Sequence, residues 1–248
     1  MASPIKRKVV VSWSTGKDSA WALHVLRNDP SVEVVGLATA VVPHWGRVSM
    51  HGVREPLALA QAKAAGLPWY NVYLDWPCSN AKYEESMKDS LRWLRLERQV
   101  DAVAYGDLYL ADVRAYRETL MADTGVAPLF PLWGLDTRVL ARQMIAAGLR
   151  ARIVCLDPKR VPRALAGAEF DVKLLDSLPP EVDPCAESGE FHTFCYDGPM
   201  FRNPVTVRVG ETVEREGFVY TDLTRTREGE PPGEPEAPKA RQEPRPPR

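Results

Sequence analysis

The sequence predicts an α/β protein with a parallel sheet in its N-terminal part and a smaller α+β domain after it. Short β-branched runs alternate with helical segments over the first hundred residues, which is typical of βαβ units. Hydrophobic residues make up 45% of the 248 positions, which is enough to build a full core. Beyond residue 136 the pattern changes to a helix, a strand and an alternating hairpin.

The N-terminal elements follow one another at regular spacing. Strands are predicted at 8–12, 32–40, 68–74 and 101–105. Helices are predicted at 18–27, 54–65 and 81–98, where apolar residues recur at helical spacing, and Gly66 stands where a helix-ending glycine belongs. Because ligands bind at the carboxyl ends of parallel strands, we expect the site in the loops that follow these strands.

A domain boundary is expected between Pro131 and Asp136. It divides the chain into a first domain of residues 1–135, a smaller domain of residues 136–225 and a proline-rich tail of residues 226–248. Asp136 can cap a helix at 137–147, residues 153–155 form a strand, and 205–213 pairs with 218–220. The tail is too poor in apolar residues to offset its chain entropy, so disorder is predicted. A ligand for a proline-binding module is the alternative.

Composition excludes several functions. The formal net charge of −1 gives no basic face for nucleic acid, so a nucleic-acid partner is not expected. No apolar run approaches the roughly 20 residues that a membrane helix needs, and the N-terminus lacks the apolar core of a secretory signal. The four cysteines are widely spaced without a Cys-x-x-Cys pair, which favours a reducing, cytoplasmic setting.

The most informative stretch runs from Ser12 to Ser19, between the first strand and the first helix. Such a turn directs backbone N–H groups and the positive end of the helix dipole at one point, and its hydroxyls and lysine add donors. A multiply charged anion such as pyrophosphate suits this arrangement. The spacing matches neither a Walker A loop nor Gly-x-Gly-x-x-Gly. A polar turn without a ligand is the alternative.

Ser14-Thr15-Gly16-Lys17-Asp18-Ser19 resembles the Ser-Gly-Gly-Lys-Asp-Ser loop of the PP-loop ATP pyrophosphatases, with Thr15 in place of the first glycine. Further blocks resemble the diphthine–ammonia ligase-like branch of that superfamily. They are 50–54, 61–68, 76–78, 83–84, Gly106-Asp107 with Arg114, 131–136, and 182–199 with its Gly-Glu-Phe-His-Thr core. In this last block Ala186 and Ser188 replace a glycine and an asparagine. The resemblance covers residues 8 to 205.

The resemblance implies a Rossmann-like domain of the adenine nucleotide α-hydrolase type, with helices on both faces of the sheet, followed by a substrate-binding domain. It implies ATP and Mg²⁺ as cofactors and an AMP-forming amidation. A substrate carboxylate would be adenylated, pyrophosphate would leave, and ammonia would displace AMP. The acceptor carboxylate stays unidentified, on a small molecule or a protein side chain, and a homodimer is possible.

The resemblance and the loop chemistry together give a set of nucleotide-binding candidates. They are Ser12, Ser14, Thr15, Gly16, Lys17, Asp18, Ser19, Leu37, Ala38, Thr39, Gly106 and Asp107. Lys17 would neutralise the β and γ phosphates, and residues 37–39 would contact adenine through backbone groups. Asp18 and Asp107 are the candidate Mg²⁺ ligands. A helix cap at Asp18 and a plain turn at Gly106-Asp107 are the alternatives.

The substrate candidates lie mostly in the C-terminal block. They are His51, Arg54, Arg114, Glu187, Gly189, Glu190, His192 and Thr193. With Lys17, the residues Glu187, Glu190 and His192 are the catalytic candidates, since carboxylates can hold ammonium and an imidazole or a carboxylate can take its proton. A solvated loop is the alternative at 187–193, and a helix cap at His51. Zinc at Cys185, His192 and Cys195 fits no standard spacing.

Three functions are compatible with these sequence features. The first is an ATP-dependent amide ligase. The second is a module that binds ATP or AMP without turnover. The third is a PP-loop sulfurtransferase that acts on tRNA through Cys78 or Cys185, although the absence of a Cys-x-x-Cys pair and of a basic patch counts against it.

Overall fold

Parallel strands form the first of two sheets in the computed structural model, which describes residues 6–226. The strands of this sheet are β1 (Arg7–Ser12), β2 (Val32–Val42), β3 (Arg47–Val48), β4 (Trp69–Tyr73), β5 (Ala102–Ala104) and β6 (Ala127–Leu129). Five of them run parallel in the order β4-β2-β1-β5-β6, and the two-residue β3 pairs antiparallel with the end of β2. Because β1 and β5 are neighbours, Ser12 and Gly106 lie at the same edge of the sheet.

Helices cover both faces of this sheet, as predicted. They are α1 (Lys17–Arg27), α2 (Glu55–Ala65), α3 (Asn80–Arg98) and α4 (Ala111–Met121). Successive residues of a strand point to opposite faces. Val9 accordingly shares a buried cluster with Leu23 of α1, whereas Val10 lies in a cluster with Leu91 of α3 and Met121 of α4. The α/β class is therefore confirmed.

The second sheet is antiparallel, with the order β8-β7-β10-β9. Its strands are β7 (Arg150–Leu156), β8 (Phe191–Asp197), β9 (Val207–Arg215) and β10 (Phe218–Arg225), and it is accompanied by α5 (Thr137–Ala146), a 3₁₀ turn (Arg163–Leu165) and α6 (Val172–Ser177). Asp136 caps α5 as predicted, because its carboxylate accepts the N–H groups of Arg138 and Val139. Gly66 ends α2 at a φ of 65°.

The two sheets share a core. One continuous buried cluster contains Trp13 and Leu23 from the N-terminal part together with Ile153 and Phe191 from the C-terminal part. The division into 1–135 and 136–225 stays a prediction. Except for Thr226, the predicted proline-rich tail lies outside the described residues. The described helices include none that is both long enough and apolar enough to cross a bilayer.

Gly106 lets the end of β5 approach the first turn of α1. A Cβ atom at this position would lie 2.8 Å from the carbonyl carbon of Asp18 and 2.9 Å from the nitrogen of Ser19. Both are backbone atoms, which cannot move aside without displacing the helix. The absence of a side chain at Gly106 therefore sets the distance between the end of β5 and the first turn of α1.

We expect Gly106→Ala to lower the free energy of unfolding by about 1–3 kcal/mol, the usual cost of overpacking. Gly210→Ala is the control, because Gly210 like Gly106 has no positive φ, and a Cβ atom there would come no closer than 3.3 Å to another atom. Chemical denaturation of both variants measures the difference. Equal losses of stability would show that the close approach at Gly106 is unimportant.

Candidate functional site

A cavity of about 230 Å³ lies at the carboxyl edge of the first sheet, where β1 and β5 end and the segment before β8 covers them. Most predicted site residues meet here. Those that line the cavity are Ser12, Ser14, Lys17, Asp18, Ser19, His51, Gly106, Asp107, Glu187, Gly189, His192 and Thr193. Residues from both halves of the chain therefore form one site, as their types suggested.

The start of α1 presents free donors to this cavity. Gly16 N–H is bonded to Ser14 Oγ at 3.3 Å, and Lys17 N–H to Thr193 Oγ1 at 3.1 Å. Within residues 6–226, the N–H groups of Asp18 and Ser19 have no backbone or side-chain acceptor. Unpaired N–H groups in the first turn of a helix attract anions. Asp18 is not the helix cap, because the cap position is Gly16.

Thr15 adopts the left-handed backbone conformation, with a φ of 75°. This conformation is unusual for a β-branched residue and costs on the order of 1 kcal/mol or more. Two hydrogen bonds hold it in place. Thr15 O accepts from Gln61 Nε2 and from Cys195 N, both at 2.9 Å. The loop therefore keeps a backbone conformation that suits glycine, although threonine occupies the position.

Lys17 is paired inside the protein. Its side chain is 2% exposed, and its Nζ donates to Asp18 Oδ2 at 2.8 Å and to the carbonyl of Cys185 at 2.5 Å. Burial disfavours the charged amine, but the negative groups around it, chiefly the Asp18 carboxylate with Asp183 farther away, together outweigh burial, so the Lys17 pKa lies above its usual value. Burial raises the pKa of Asp18. Asp18 Oδ1 is buried and accepts no hydrogen bond from any described residue.

Asp107 is paired with Arg117, which sequence reasoning missed. Arg117 donates to both carboxylate oxygens of Asp107, through Nε to Oδ2 and through Nη2 to Oδ1, the latter at 3.1 Å. Its guanidinium carbon lies 4.2 Å from the centroid of the Tyr105 ring. Arg117 lines the cavity from α4, a helix that the sequence did not predict. Tyr105, Ala186 and Phe191 also line it and were not predicted.

The two glutamates of the C-terminal block differ in position. Glu187 faces the cavity and accepts the N–H group of Leu108 at 2.7 Å, so it ties the block to the loop after β5. Burial raises its pKa. Glu190 is 1% exposed, does not line the cavity and pairs with Arg160 at 2.7 Å. Its second carboxylate oxygen is buried without a partner among the described residues.

Two histidines from opposite halves of the chain lie side by side in the cavity, with their rings tilted by 35°. The rings of His51 and His192 are 4.6 Å apart, and His51 Nδ1 lies 3.2 Å from the carbonyl oxygen of Thr193. Burial, with the charge of Lys17 nearby, lowers the pKa of His192 to about 4. Burial and the neighbouring His192 lower the pKa of His51 well below its usual value. Both rings are therefore neutral at pH 7 and can accept a proton.

Several predicted residues do not reach the cavity. Arg54 is half-exposed and pairs with Asp222 of β10 at 2.6 Å. Arg114 pairs with Glu118 and lies over the rings of Phe130 and Trp133. The residues Thr15, Gly16, Leu37, Ala38, Thr39 and Glu190 also lie outside its lining. Thr15 and Gly16 belong to the loop before α1, and Leu37, Ala38 and Thr39 form part of β2.

The cysteines lie away from the cavity lining. Cys185 Sγ points to the carbonyl of Thr137, at 3.4 Å, and Cys195 Sγ to that of Asp197. Burial raises the pKa of both thiols. The part of the chain that the structure describes contains no group of three or more metal-ligating side chains, so the zinc alternative gains no support. The segment at 187–193 is packed against the protein and leads into β8, which replaces the solvated-loop alternative.

This fold and this site define a class. A strand-loop-helix turn that exposes N–H groups, serine hydroxyls and a buried Lys-Asp pair at the edge of a parallel sheet is characteristic of a nucleotide-binding α/β protein of the PP-loop class. Two family models match the chain. The diphthamide synthase N-terminal domain matches residues 7–128, and the diphthamide synthase C-terminal domain matches residues 136–228. The chain belongs to the diphthamide synthase family.

Curated relatives agree with this assignment. The diphthine–ammonia ligase of Danio rerio is 31% identical over 61% of this chain and 65% of its own length. That of Rattus norvegicus is 30% identical over 52% of this chain and 50% of its own length. The chain thus spans about half to two thirds of the length of these two relatives. A solved U34-tRNA thiolase, NcsA from Methanococcus maripaludis, aligns over 59% of each chain at 18% identity, with a TM-score of 0.36 that is too low to support an argument.

The buried histidines predict how stability depends on pH. The folded state keeps His192 neutral down to about pH 4, whereas the unfolded chain protonates it below about 6.5. Its contribution is therefore complete above pH 6.5 and is lost as the pH falls toward 4, by an amount on the order of 3 kcal/mol. We expect His192→Asn to make this decline shallower.

Unfolding free energies measured from pH 7 to pH 4 test this expectation. His44→Asn is the control, because His44 is exposed and should leave the decline unchanged. Identical pH profiles for the wild-type protein and the His192→Asn variant would contradict the buried, neutral state of His192.

Proposed function

We propose that this protein is an ATP-dependent amide ligase that adenylates a substrate carboxylate and releases AMP when ammonia attacks. The observation that carries the proposal is the cavity itself. It brings unpaired N–H groups at the start of α1 within the same space as two neutral histidines and the Glu187 carboxylate. An anion site and a proton-accepting site therefore share one cavity. Membership of the diphthamide synthase family supports the same activity.

The loop would act on the leaving group. The N–H groups of Asp18 and Ser19, with the hydroxyls of Ser14 and Ser19, would bind the β and γ phosphates. These fixed donors stabilise the charge that develops on pyrophosphate without reorganisation, which is the main source of electrostatic catalysis. The carboxylate oxygen of the substrate would then attack the α-phosphorus, and the bond from that phosphorus to the pyrophosphate oxygen would break.

The donor set fits Mg²⁺. Asp18 Oδ1 is a buried carboxylate oxygen without a hydrogen-bond donor, and Asp107 is a second carboxylate in the same cavity. Mg²⁺ is commonly bound by one or two carboxylates together with phosphate oxygens. Bound there, the ion would neutralise phosphate charge. Asp107 is the weaker candidate of the two, because Arg117 already donates to both of its oxygens.

The second half of the reaction needs ammonia in its neutral form. Glu187 would attract ammonium, since it carries the negative charge of the cavity that is not matched by a partner side chain in the described residues. Bound ammonium would pass one proton to the neutral ring of His51 or His192 and from there to solvent, which leaves ammonia to attack the acyl carbon. The same rings would take the second proton, which the nitrogen loses as the bond to AMP breaks. AMP would leave with one oxygen of the original carboxylate.

The geometry favours this function over the two alternatives. A thiol-based sulfur transfer needs a reactive cysteine at the site, and no described cysteine lines the cavity. A module without turnover would need no proton acceptor beside its anion site, whereas two neighbouring histidines lie there.

An isotope experiment tests the ligase chemistry directly. The protein is incubated with ATP, Mg²⁺, ammonium chloride and a panel of carboxylic acids labelled with ¹⁸O. We expect AMP and pyrophosphate in equal amounts, and one ¹⁸O atom in the phosphate group of AMP, because the acyl–adenylate bond contains a carboxylate oxygen. Formation of ADP and phosphate, or AMP without label, would contradict the proposal.

A cysteine-free site gives a second prediction. The double variant Cys78→Ser, Cys185→Ser should retain AMP formation within about twofold of the wild-type rate, because neither thiol takes part. The measurement is the rate of pyrophosphate release at saturating ATP. A loss of a hundredfold or more in a variant with an unchanged melting temperature would favour the sulfurtransferase alternative.

A further inference from the structure

We propose that Arg117 binds the phosphate chain of the nucleotide and that Asp107 serves to orient it. This inference rests on the proposed function, because it assigns a further binding residue to the same site. The family resemblance singled out Arg114, one helical turn earlier on α4, and pointed to Lys17 as the phosphate cation. The structure pairs Arg114 with Glu118 outside the cavity and Lys17 with Asp18 in its lining. Arg117 also lines the cavity, where it is paired with Asp107.

Lys17 is already engaged by partners inside the protein. Two of the three protons of its amine are already used by Asp18 and by the carbonyl of Cys185. Its Nζ also lies 5.6 Å from the ring centroids of Phe170 and Phe191, which line its buried environment. The charge of Lys17 is therefore largely compensated by Asp18 inside the protein.

Arg117 has N–H donors that are not used by the described residues. A guanidinium group has five N–H donors in a rigid fork. Nε and Nη2 donate to Asp107, whereas Nη1 has no acceptor within residues 6–226. Tyr105 supports the guanidinium from one side, at 4.2 Å. Arg117 is thus held in position through two of its nitrogens, while the third, with two N–H groups, is available to a ligand.

The charged side chains of the cavity lining determine how it can bind an anion. Its lining contains two cations, Lys17 and Arg117, and three carboxylates, Asp18, Asp107 and Glu187. With both histidines neutral, this lining cannot bind a highly charged anion through net charge alone. It needs directed donors, and bidentate or forked guanidinium contacts are the strongest that a side chain offers to phosphate. Arg117 is the described arginine that lines this cavity.

Binding of inorganic pyrophosphate and of AMP, measured by calorimetry in the presence of EDTA, tests the assignment. The key comparison is between Asp107→Asn and the double variant Asp107→Asn, Arg117→Gln, because both keep a neutral partner at position 107. We expect the single variant to bind pyrophosphate within about threefold of the wild type, because asparagine keeps one acceptor oxygen for Arg117 while it removes one repulsive charge from the cavity. We expect the double variant to bind it at least tenfold more weakly, with AMP affinity unchanged within twofold.

Arg117→Lys keeps the charge without the fork and provides a second, less disruptive variant. It should weaken pyrophosphate binding severalfold. Arg95→Gln, which removes another arginine–aspartate pair outside the cavity, should leave binding unchanged and controls for loss of an ion pair. Melting temperatures are recorded for all variants.

The outcomes separate the two proposals. If the wild-type protein binds neither pyrophosphate nor ATP, whether EDTA or Mg²⁺ is present, the proposed function fails together with this inference. If it binds pyrophosphate only with Mg²⁺, the variants are compared in that buffer. If the wild type binds pyrophosphate and both Arg117 variants bind it within twofold of their references, only the role of Arg117 is overturned. An equal loss of AMP and pyrophosphate affinity would also overturn it, because Arg117 would then act on the cavity as a whole.

Discussion

The hydrogen bond from Lys17 N–H to Thr193 Oγ1 is the contact on which the site depends. It joins the start of α1, where the anion-binding loop ends, to β8 of the other sheet. Gln61 strengthens the same junction, because its side-chain amide donates to Thr15 O and to Cys195 O, and its carbonyl accepts from the Trp13 indole at 2.8 Å. These bonds are buried, where an unpaired group is costly, so the loop and β8 hold each other in one arrangement.

This junction explains why a threonine is tolerated in a left-handed position of the loop. The carbonyl of Thr15 accepts two hydrogen bonds in the observed conformation, and these offset part of the backbone strain. The Thr15 hydroxyl itself is buried without a partner among the described residues. The same junction also explains how the cavity is formed. Once β8 is fixed to α1, the residues that precede it bring Glu187 to the N–H group of Leu108 and place His192 beside His51. The site is therefore preorganised by contacts between the two sheets.

Much of the fold could be predicted because its strands and helices have strong local periodicity. The ranges predicted for β1, β2, α2, α3 and α5 agree with the structure to within two residues. Helix α4 and strand β6 were missed. Helix α4 has apolar residues at helical spacing, namely Val113, Tyr116 and Leu120, which the prediction did not use. Strand β6 has only three residues and contains Pro128 at the edge of the sheet. Strand β8 was treated as part of a motif, because its polar residues hid its alternation.

The site residues, like the elements of the fold, could be predicted where the signal is local in sequence. Residues adjacent in sequence to the loop were identified, since strand-loop-helix chemistry is local. The partners supplied by distant segments were not identifiable, because nothing in a single sequence shows that Arg117 meets Asp107, that Asp18 is engaged by Lys17 before any ligand binds, or that Arg54 is held by Asp222. The most direct test of the central claim is a crystal structure with the non-cleavable analogue α,β-methylene-ATP. The account predicts its β and γ phosphates on the N–H groups of Asp18 and Ser19, with the α-phosphorus facing His51 and His192. A nucleotide bound elsewhere, or a loop left empty at saturating analogue, would contradict it.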